Sequence, residues 1–330
     1  MSPKKVVVIG GGTGSFTLLR VLKHYFNNIT ALVNMADDGG STGILRDELG
    51  VLPPGDVRQC LVALAQEPRV RDLFNYRFQE GTFAGHSFGN LFLTAVQKTT
   101  NDFAEAVKLA SHVLNITGRV IPITLDNVTL VHDNPNGTVV RGQHVLSNQV
   151  LDRPHLRLEP VPIINPDAHK AIATADIVVI APGNLYVSLA PALLVPGVAE
   201  ALSQTRAKKV YVCNLVTKPG QTTGFTVASF AAEIERFLGG KVKLDYVLYN
   251  NAKPSAQLLK NYAQKGEYWV TYDLHILKDA HYEAIGGHFV LNQPWPVIDK
   301  TDLLPRTLIR HDSEAIAKVL LSLSQSQGRV

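Results

Sequence analysis

The fold is decided at residues 5–15, Lys5-Val6-Val7-Val8-Ile9-Gly10-Gly11-Gly12-Thr13-Gly14-Ser15. A continuous β-branched run such as residues 6–9 is the pattern of a strand buried on both faces of a parallel sheet. Glycines follow at once. Phe16, Leu18, Leu19, Leu22 and Tyr25 then recur at helical spacing before a second apolar run opens at Ile29. Strand, glycine turn, helix and strand make a βαβ unit, whose crossover is right-handed almost without exception.

Outward from this unit, strand-like runs recur at residues 176–180, 208–213 and 244–249, with helical patterns between them at 196–203 and 226–237. The alternation at both ends of the chain predicts an α/β fold in one domain over residues 1–330. Its core is a Rossmann-like, doubly wound, mostly parallel sheet with helices on both faces. The middle reads differently. Residues 55–112 are helix-rich, with Asn101 as N-cap of a helix that carries Phe103, Ala106, Val107 and Ala110. Short β runs at 119–124 and 127–132, and the turn Asp133-Asn134-Pro135-Asn136-Gly137 before Thr138-Val139-Val140, predict a hairpin or small antiparallel unit. A small inserted β/helical subdomain is therefore expected over approximately 113–165. The polar residues 324–329 are expected to fray.

Composition narrows the function classes. At 45% hydrophobic, the 330 residues supply a substantial core. Lys+Arg exceed Asp+Glu by 32 − 28 = 4, with no basic stripe or aromatic ladder, which argues against nucleic acid as a partner. The basic start at residues 1–5 leads into an apolar run too short for a signal peptide. No stretch approaches the roughly 20 apolar residues of a membrane span. Cys60 and Cys213 stand in unrelated segments, which points to a reducing compartment and away from a disulfide framework or a cysteine metal site. The expectation is a soluble cytoplasmic protein with no membrane partner. Periodicity does not give the oligomeric state; a homodimer is expected only because dimers are the commonest assembly.

Five segments carry candidate chemistry. Gly11, Gly12, Thr13, Gly14 and Ser15 lie between a strand and a helix, where glycines let backbone approach an anion and the helix start offers free N–H groups. A tight structural turn is the plain alternative. The dinucleotide pattern G-x-G-x-x-G fits Gly10 and Gly12, but Ser15 stands at its third glycine, which disfavours an NAD-dependent oxidoreductase. After the second strand comes Met35-Ala36-Asp37-Asp38-Gly39-Gly40-Ser41-Thr42-Gly43. The adjacent acids Asp37 and Asp38, with Gly39 and Ser41, can hold a divalent cation such as Mg2+ or accept hydrogen bonds from sugar hydroxyls. Beside a phosphate loop they would steer a metal-bridged pyrophosphate, with Arg46 as a phosphate clamp. Gly85-His86-Ser87-Phe88-Gly89-Asn90 opens a helix. His86 reads as a general base, a phosphate donor or a structural histidine, and Asn90 as a base or ribose contact. No acidic partner is identifiable, so no triad is claimed. Finally, Ala181-Pro182-Gly183-Asn184-Leu185-Tyr186-Val187-Ser188 follows a strand, as do Asn214 and the loop at 217–224. Ligands of doubly wound sheets lie at that carboxyl edge, so Gly183, Asn184, Leu185, Tyr186 and Asn214 join the candidates.

These motifs, with Pro53-Pro54-Gly55-Asp56-Val57-Arg58, resemble in content and order those of the gluconeogenesis factor family, the YvcK-like proteins related to the CofD 2-phospho-L-lactate transferases. The resemblance covers nearly the whole chain. It implies a three-layer Rossmann-like fold, a cytoplasmic role in cell shape and wall metabolism on gluconeogenic carbon sources, and UDP-sugars such as UDP-N-acetylglucosamine as ligands. By analogy the first glycine loop and the loop at 182–186 face the pyrophosphate. The transferase relatives place the acidic loop near a nucleotide, a deazaflavin acceptor and a divalent metal, which makes Asp37 and Asp38 metal- or sugar-proximal. The chain departs from the family pattern at Asn184, where Ser is usual, at Ile44, where a basic residue is usual, and at Lys218 and Gln221, where Gln and Glu are common; the last pair shifts the site towards positive charge. The leading reading is a UDP-sugar-binding regulatory protein without turnover. A Mg-dependent phospholactyl-type transferase acting on a nucleotide-activated donor is the alternative.

Overall fold

The computed structural model of the chain describes residues 3–291 and 309–326. Among the described residues ten strands are present: β1 (Lys5–Gly10), β2 (Asn28–Val33), β3 (Arg119–Pro122), β4 (Thr129–Asp133), β5 (Val139–Arg141), β6 (Leu156–Glu159), β7 (Ile177–Ile180), β8 (Lys208–Val212), β9 (Tyr246–Asn250) and β10 (Glu283–Gly287). Seven of them form one sheet in the order β10-β9-β8-β7-β1-β2-β3, and every ladder in it is parallel. Residues 6–9 and 177–180 are buried throughout, as continuous β-branched runs at the centre of a parallel sheet must be. These two strands pair in register from Val6↔Ile177 to Ile9↔Ile180.

That pairing fixes where a ligand can lie. From β1 the chain winds one way, through β2 and β3; from β7 it winds the other way, through β8, β9 and β10. With right-handed crossovers, opposite winding puts helices on opposite faces and opens a crevice beyond the carboxyl ends of β1 and β7. The loops that begin at Gly10 and Ala181 start at that crevice.

Six helices precede β3: α1 (Gly12–Leu22), α2 (Gly40–Leu49), α3 (Gly55–Leu64), α4 (Pro68–Asn75), α5 (Phe88–Thr100) and α6 (Phe103–Val113). In α1 the buried stripe Leu18, Leu19 and Leu22 seats the helix on the sheet, each side chain contributing about 1.5–3 kcal/mol. Helix α3 differs: all its residues but Gln59 are buried, Asp56 and Arg58 included. An apolar helix enclosed on all sides is ordinary, but two charges enclosed with it demand partners.

The turn at 133–137 joins β4 to β5, and β5-β4-β6 form a separate antiparallel sheet. Three sequence readings shift. Residues 119–122, grouped with the antiparallel hairpin, instead join β2 in parallel as the edge of the main sheet, because their apolar side chains complete its core. Asn101 is not the N-cap of α6. It closes α5 in a left-handed conformation (φ 55°), and Asp102 caps α6 by accepting from the amides of Ala104 and Glu105. Residues 324 and 325, expected to fray, instead end a helix over Ser313–Gln325 with Ser324 buried, and residues 327–329 lie outside the described residues.

Candidate functional site

The glycine loop is pressed between two neighbours. A Cβ on Gly14 would sit 1.8 Å from the carbonyl oxygen of Pro182 in the β7 loop, and one on Gly11 would sit 2.3 Å from Oδ2 of Asp56. Glycine at both positions is thus a matter of close approach. The Gly12 N–H donates to Asp56 Oδ1 at 2.9 Å. Among the described residues no side chain bonds the amides of Thr13 or Gly14, which remain at the positive end of the α1 dipole. Beside them the Ser15 hydroxyl is 1% exposed and has no partner there. A cavity of about 120 Å³ opens next to Thr13, Gly14 and Pro182.

The two adjacent acids part company. Asp38 accepts from the amides of Gln143 (2.9 Å) and His144 (2.7 Å), capping the short helix Gln143–Ser147. Asp37 turns the other way: its Oδ1 accepts from the Gly39 amide at 3.1 Å, and its Oδ2 lies 2.9 Å from where a Cβ on Gly55 would be. Its neighbour there is Asp56. Burial raises the Asp37 pKa above the usual carboxylate value; bonds from Gly39 and Thr42 oppose the rise and the charge of Asp38 adds to it. Burial likewise pushes Asp56 up to about 7, with the charge of Asp37 adding and the Gly12 bond and Arg58 opposing. The charge of Asp37 thus bears on buried Asp56 as well as on its sequence neighbour Asp38.

This corrects the expected metal site. A cation cage needs oxygens that converge, and the oxygens of Asp38 are taken up by backbone amides. Among the described residues no three His, Cys, Asp or Glu side chains are grouped to hold an ion. Asp37 and Asp38 thus do not converge as the pair read for Mg2+.

A chain of polar side chains runs beneath. Buried Arg58 donates from Nε to Asn90 Oδ1 (3.0 Å) and from Nη1 to Asn75 Oδ1 (2.8 Å). Asn90 Nδ2 donates to Ser41 Oγ (3.2 Å), and Ser41 Oγ meets His86 Nδ1 at 2.9 Å. Burial pulls the Arg58 pKa down to about 10, still cationic at neutral pH. Arg46 donates from Nη2 to Thr129 Oγ1 (2.7 Å), while its Nη1 is buried without a partner among the described residues.

The β7 loop uses its side chains on itself. Asn184 accepts from the Val187 amide and starts the π-helical turn Leu185–Leu189. Leu185 and Tyr186 are in the core, Tyr186 edge-on to Phe237 at 6.0 Å, so they seat the loop instead of lining the crevice. Asn214 Nδ2 donates to the Gly183 carbonyl at 2.8 Å and so holds the loop against β8. Lys218 donates to the Ser147 carbonyl (2.6 Å) and Gln221 Nε2 to that of Leu146 (3.0 Å). Both tie down the short helix that Asp38 caps.

Of the sequence-derived residues the structure gathers Gly11–Ser15, Asp37, Ser41, Arg46, His86, Asn90 and Gly183 around the switch point. Asp56 and Arg58 were missed as site residues. Their signal was available: an acid and a base two apart in a helix otherwise filled with apolar residues.

A family profile described as 2-phospho-L-lactate transferase CofD matches residues 6–290. The chain belongs to the CofD family. Within it, the relatives are gluconeogenesis factors. That of Bacillus subtilis is 38% identical over 323 residues, covering 97% of this chain and 98% of its own. A protein of Clostridium acetobutylicum that carries the same name provisionally is 41% identical over 324 residues, covering 96% of this chain and 69% of its own. The fold agrees with a crystal structure of a Bacillus halodurans protein at 37% identity, TM-score 0.86, covering 97% of this chain and 99% of that one. No single described helix is long and apolar enough to cross a membrane.

Proposed function

We propose that this CofD-family chain is a cytoplasmic gluconeogenesis factor that binds a UDP-sugar of the UDP-N-acetylglucosamine type and regulates cell shape and wall metabolism without turnover. The observation that carries the reading is the unmet hydrogen-bonding capacity at the switch point. The amides of Thr13 and Gly14 have no side-chain acceptor among the described residues, and the buried Ser15 hydroxyl beside them has no partner. A buried polar group left unpaired costs about 1–3 kcal/mol, and an anion seated there would recover it. A diphosphate suits the spacing of consecutive helix-start amides, with the free Nη1 of Arg46 as a second anchor. Calorimetry with UDP-N-acetylglucosamine tests this; no heat and no thermal shift at millimolar ligand would end it.

One observation favours the transferase reading. A carboxylate poised at about 7, as Asp56 is, suits a general base that takes a proton from an attacking hydroxyl. Incubation with uridylylated or guanylylated phospholactate, a deazaflavin acceptor and Mg2+ should then form the phosphodiester product. Absence of product with ligand still bound supports the regulatory reading.

A further inference from the structure

The two halves of the main sheet are joined across the crevice by a piece of the antiparallel unit. After β5 the chain makes the one-turn helix α7 (Gln143–Ser147) and runs on to Leu151 before it returns in β6. At the start of α7, Asp38 of the β2 loop accepts from the amides of Gln143 (2.9 Å) and His144 (2.7 Å). Asn34, directly after β2, donates from Nδ2 to Gln143 Oε1 (3.3 Å). At its end the β8 loop takes hold. Lys218 Nζ donates to the Ser147 carbonyl (2.6 Å), and Gln221 Nε2 donates to those of Leu146 (3.0 Å) and Gln149 (3.2 Å). The Leu151 amide donates to the Gly220 carbonyl at 2.7 Å. Between these ends α7 packs on the π-helical turn of the β7 loop.

The sheet order turns these contacts into a span. From β2 to β8 the strands run β2-β1-β7-β8, three intervals that together cover about 14 Å. A five-residue helix is about 7.5 Å long, and the side chains that grip its two ends supply the rest. The segment therefore lies across the carboxyl ends of β1 and β7, whose loops make the diphosphate seat. It is also close to that seat. Asn34, which holds Gln143, donates its own amide to the Gly10 carbonyl (3.2 Å), and a Cβ on Gly11 would lie 3.4 Å from the Asn34 Cβ.

What holds α7 in place is mostly polar. Leu146 is its only buried side chain, while Val145 and Val150 are 47% and 81% exposed. Hydrogen bonds of this kind exchange for bonds to water at small net cost, and elements with little buried apolar surface open most readily. Gly142, at φ 100°, gives the backbone a pivot where the segment begins.

We infer that α7 is a strap over the ligand site, tied at one end by Asp38 and at the other by Lys218 and Gln221, which must release before ligand enters or leaves. The inference rests on the diphosphate reading above and adds a gate to that same site. Every tie is made by the protein's own groups, so the strap closes over the site whether it is empty or filled. It therefore sets the rates in both directions and leaves the equilibrium nearly untouched.

Val150 and Gly220 supply the test. A Cβ on Gly220 would lie 3.6 Å from the Val150 Cβ, within the reach of about 3.5–4.5 Å that a disulfide needs. The full chain carrying Val150→Cys and Gly220→Cys is compared oxidised and reduced by rapid-mixing kinetics with UDP-N-acetylglucosamine. Oxidation should slow association and dissociation together by about tenfold or more, with Kd from calorimetry within about twofold, and dithiothreitol should restore both rates. Cys60 and Cys213 are buried and take no part. Asp38→Asn, which frees the other end, should speed both rates by about 2- to 30-fold at the same Kd, the range that loss of a helix cap spans. Equal rates in the oxidised and reduced forms overturn the inference and leave the diphosphate seat standing. So does a change in dissociation alone with Kd moving in step, which would make α7 a ligand contact and not a gate. If the cysteine pair does not oxidise, Asp38→Asn decides by itself, and unchanged rates overturn the inference. If the unaltered chain does not bind the UDP-sugar, both proposals fall.

Discussion

The two edges of the main sheet differ in a way that volume alone would misjudge. The amino edge carries the larger cavity, about 1050 Å³, against about 120 Å³ beside the glycine loop. Yet three of the lysines that line it are matched. Lys4 meets Asp176 at 3.3 Å, Lys209 meets Asp245 at 2.9 Å, and Lys208 Nζ donates at 2.7 Å to the carbonyls of Leu323 and Ser326, at the end of the last helix. At the carboxyl edge, burial raises Asp37 above its usual value and pushes Asp56 up to about 7, and Ser15 Oγ and Arg46 Nη1 are buried without partners among the described residues. At one edge these lysines find their partners within the protein. The other leaves polar demands open, as a site built for something else to complete would.

The sharpest way to break this contrast is Gly14→Ala. The added methyl would lie 1.8 Å from the Pro182 carbonyl oxygen, so the glycine loop and the β7 loop must separate. A loss of about 1–3 kcal/mol in stability is expected, measured by urea unfolding, with UDP-sugar binding reduced more than 100-fold, roughly the cost of losing one good anion seat. Retained binding would mean that the two loops need not meet at the ligand.

Next in size is the pH dependence carried by Asp56. Its folded pKa, about 7, lies above the unfolded value near 3.8, so between those values the folded state holds a proton that the unfolded state has lost. Stability from this group is full below about 4 and falls as pH rises towards 7. Asp56→Asn keeps an acceptor for the Gly12 amide and removes the ionisation, so it should flatten that decline and be more stable than the parent at pH 8. Thermal unfolding across pH 4–8 reads it. His311 works in the opposite sense: burial pulls its pKa down to about 4, so its contribution is lost as pH falls from about 6.5 to 4. An Asp56→Asn profile with the same decline would show that the carboxylate is no harder to ionise in the fold than in the open chain.

A smaller effect separates the two neighbouring acids. Asp38→Asn should cost about 0.5–2 kcal/mol, the usual range for a helix cap, and leave UDP-sugar affinity within about twofold. Asp37→Asn should instead change affinity, because Asp37 faces Asp56 at the crevice.

These acids also show what the sequence made legible. The β1 unit could be read because its signals are local: a β-branched run, then glycines, then helical spacing within twenty residues. The loops after β1, β2, β7 and β8 could be placed at one edge because parallel strands all point their carboxyl ends the same way. What each loop residue touches could not be read. Asp38 finds its partners at 143 and 144, and Asp56 finds its own at Gly12. Adjacent acids look like a pair in a sequence, but backbone turns aim them apart. Tyr186 likewise was placed by its loop, whereas the π-helical turn that Asn184 starts carries its ring into the core.

The smallest expected effect completes the comparison from its other side. Lys209→Ala removes the ion pair with Asp245, and the two side chains are 16% and 42% exposed. Such a pair loses much of its Coulomb energy to solvent, so the change should cost under about 1 kcal/mol and shrink as salt is raised. UDP-sugar affinity should not move, because the lysine stands at the opposite end of the strands from the glycine loop. The value of this variant lies in that null. A fall in affinity would place ligand at the matched edge, and the rule drawn here, that open polar demand marks the site better than open space does, would fail for this protein.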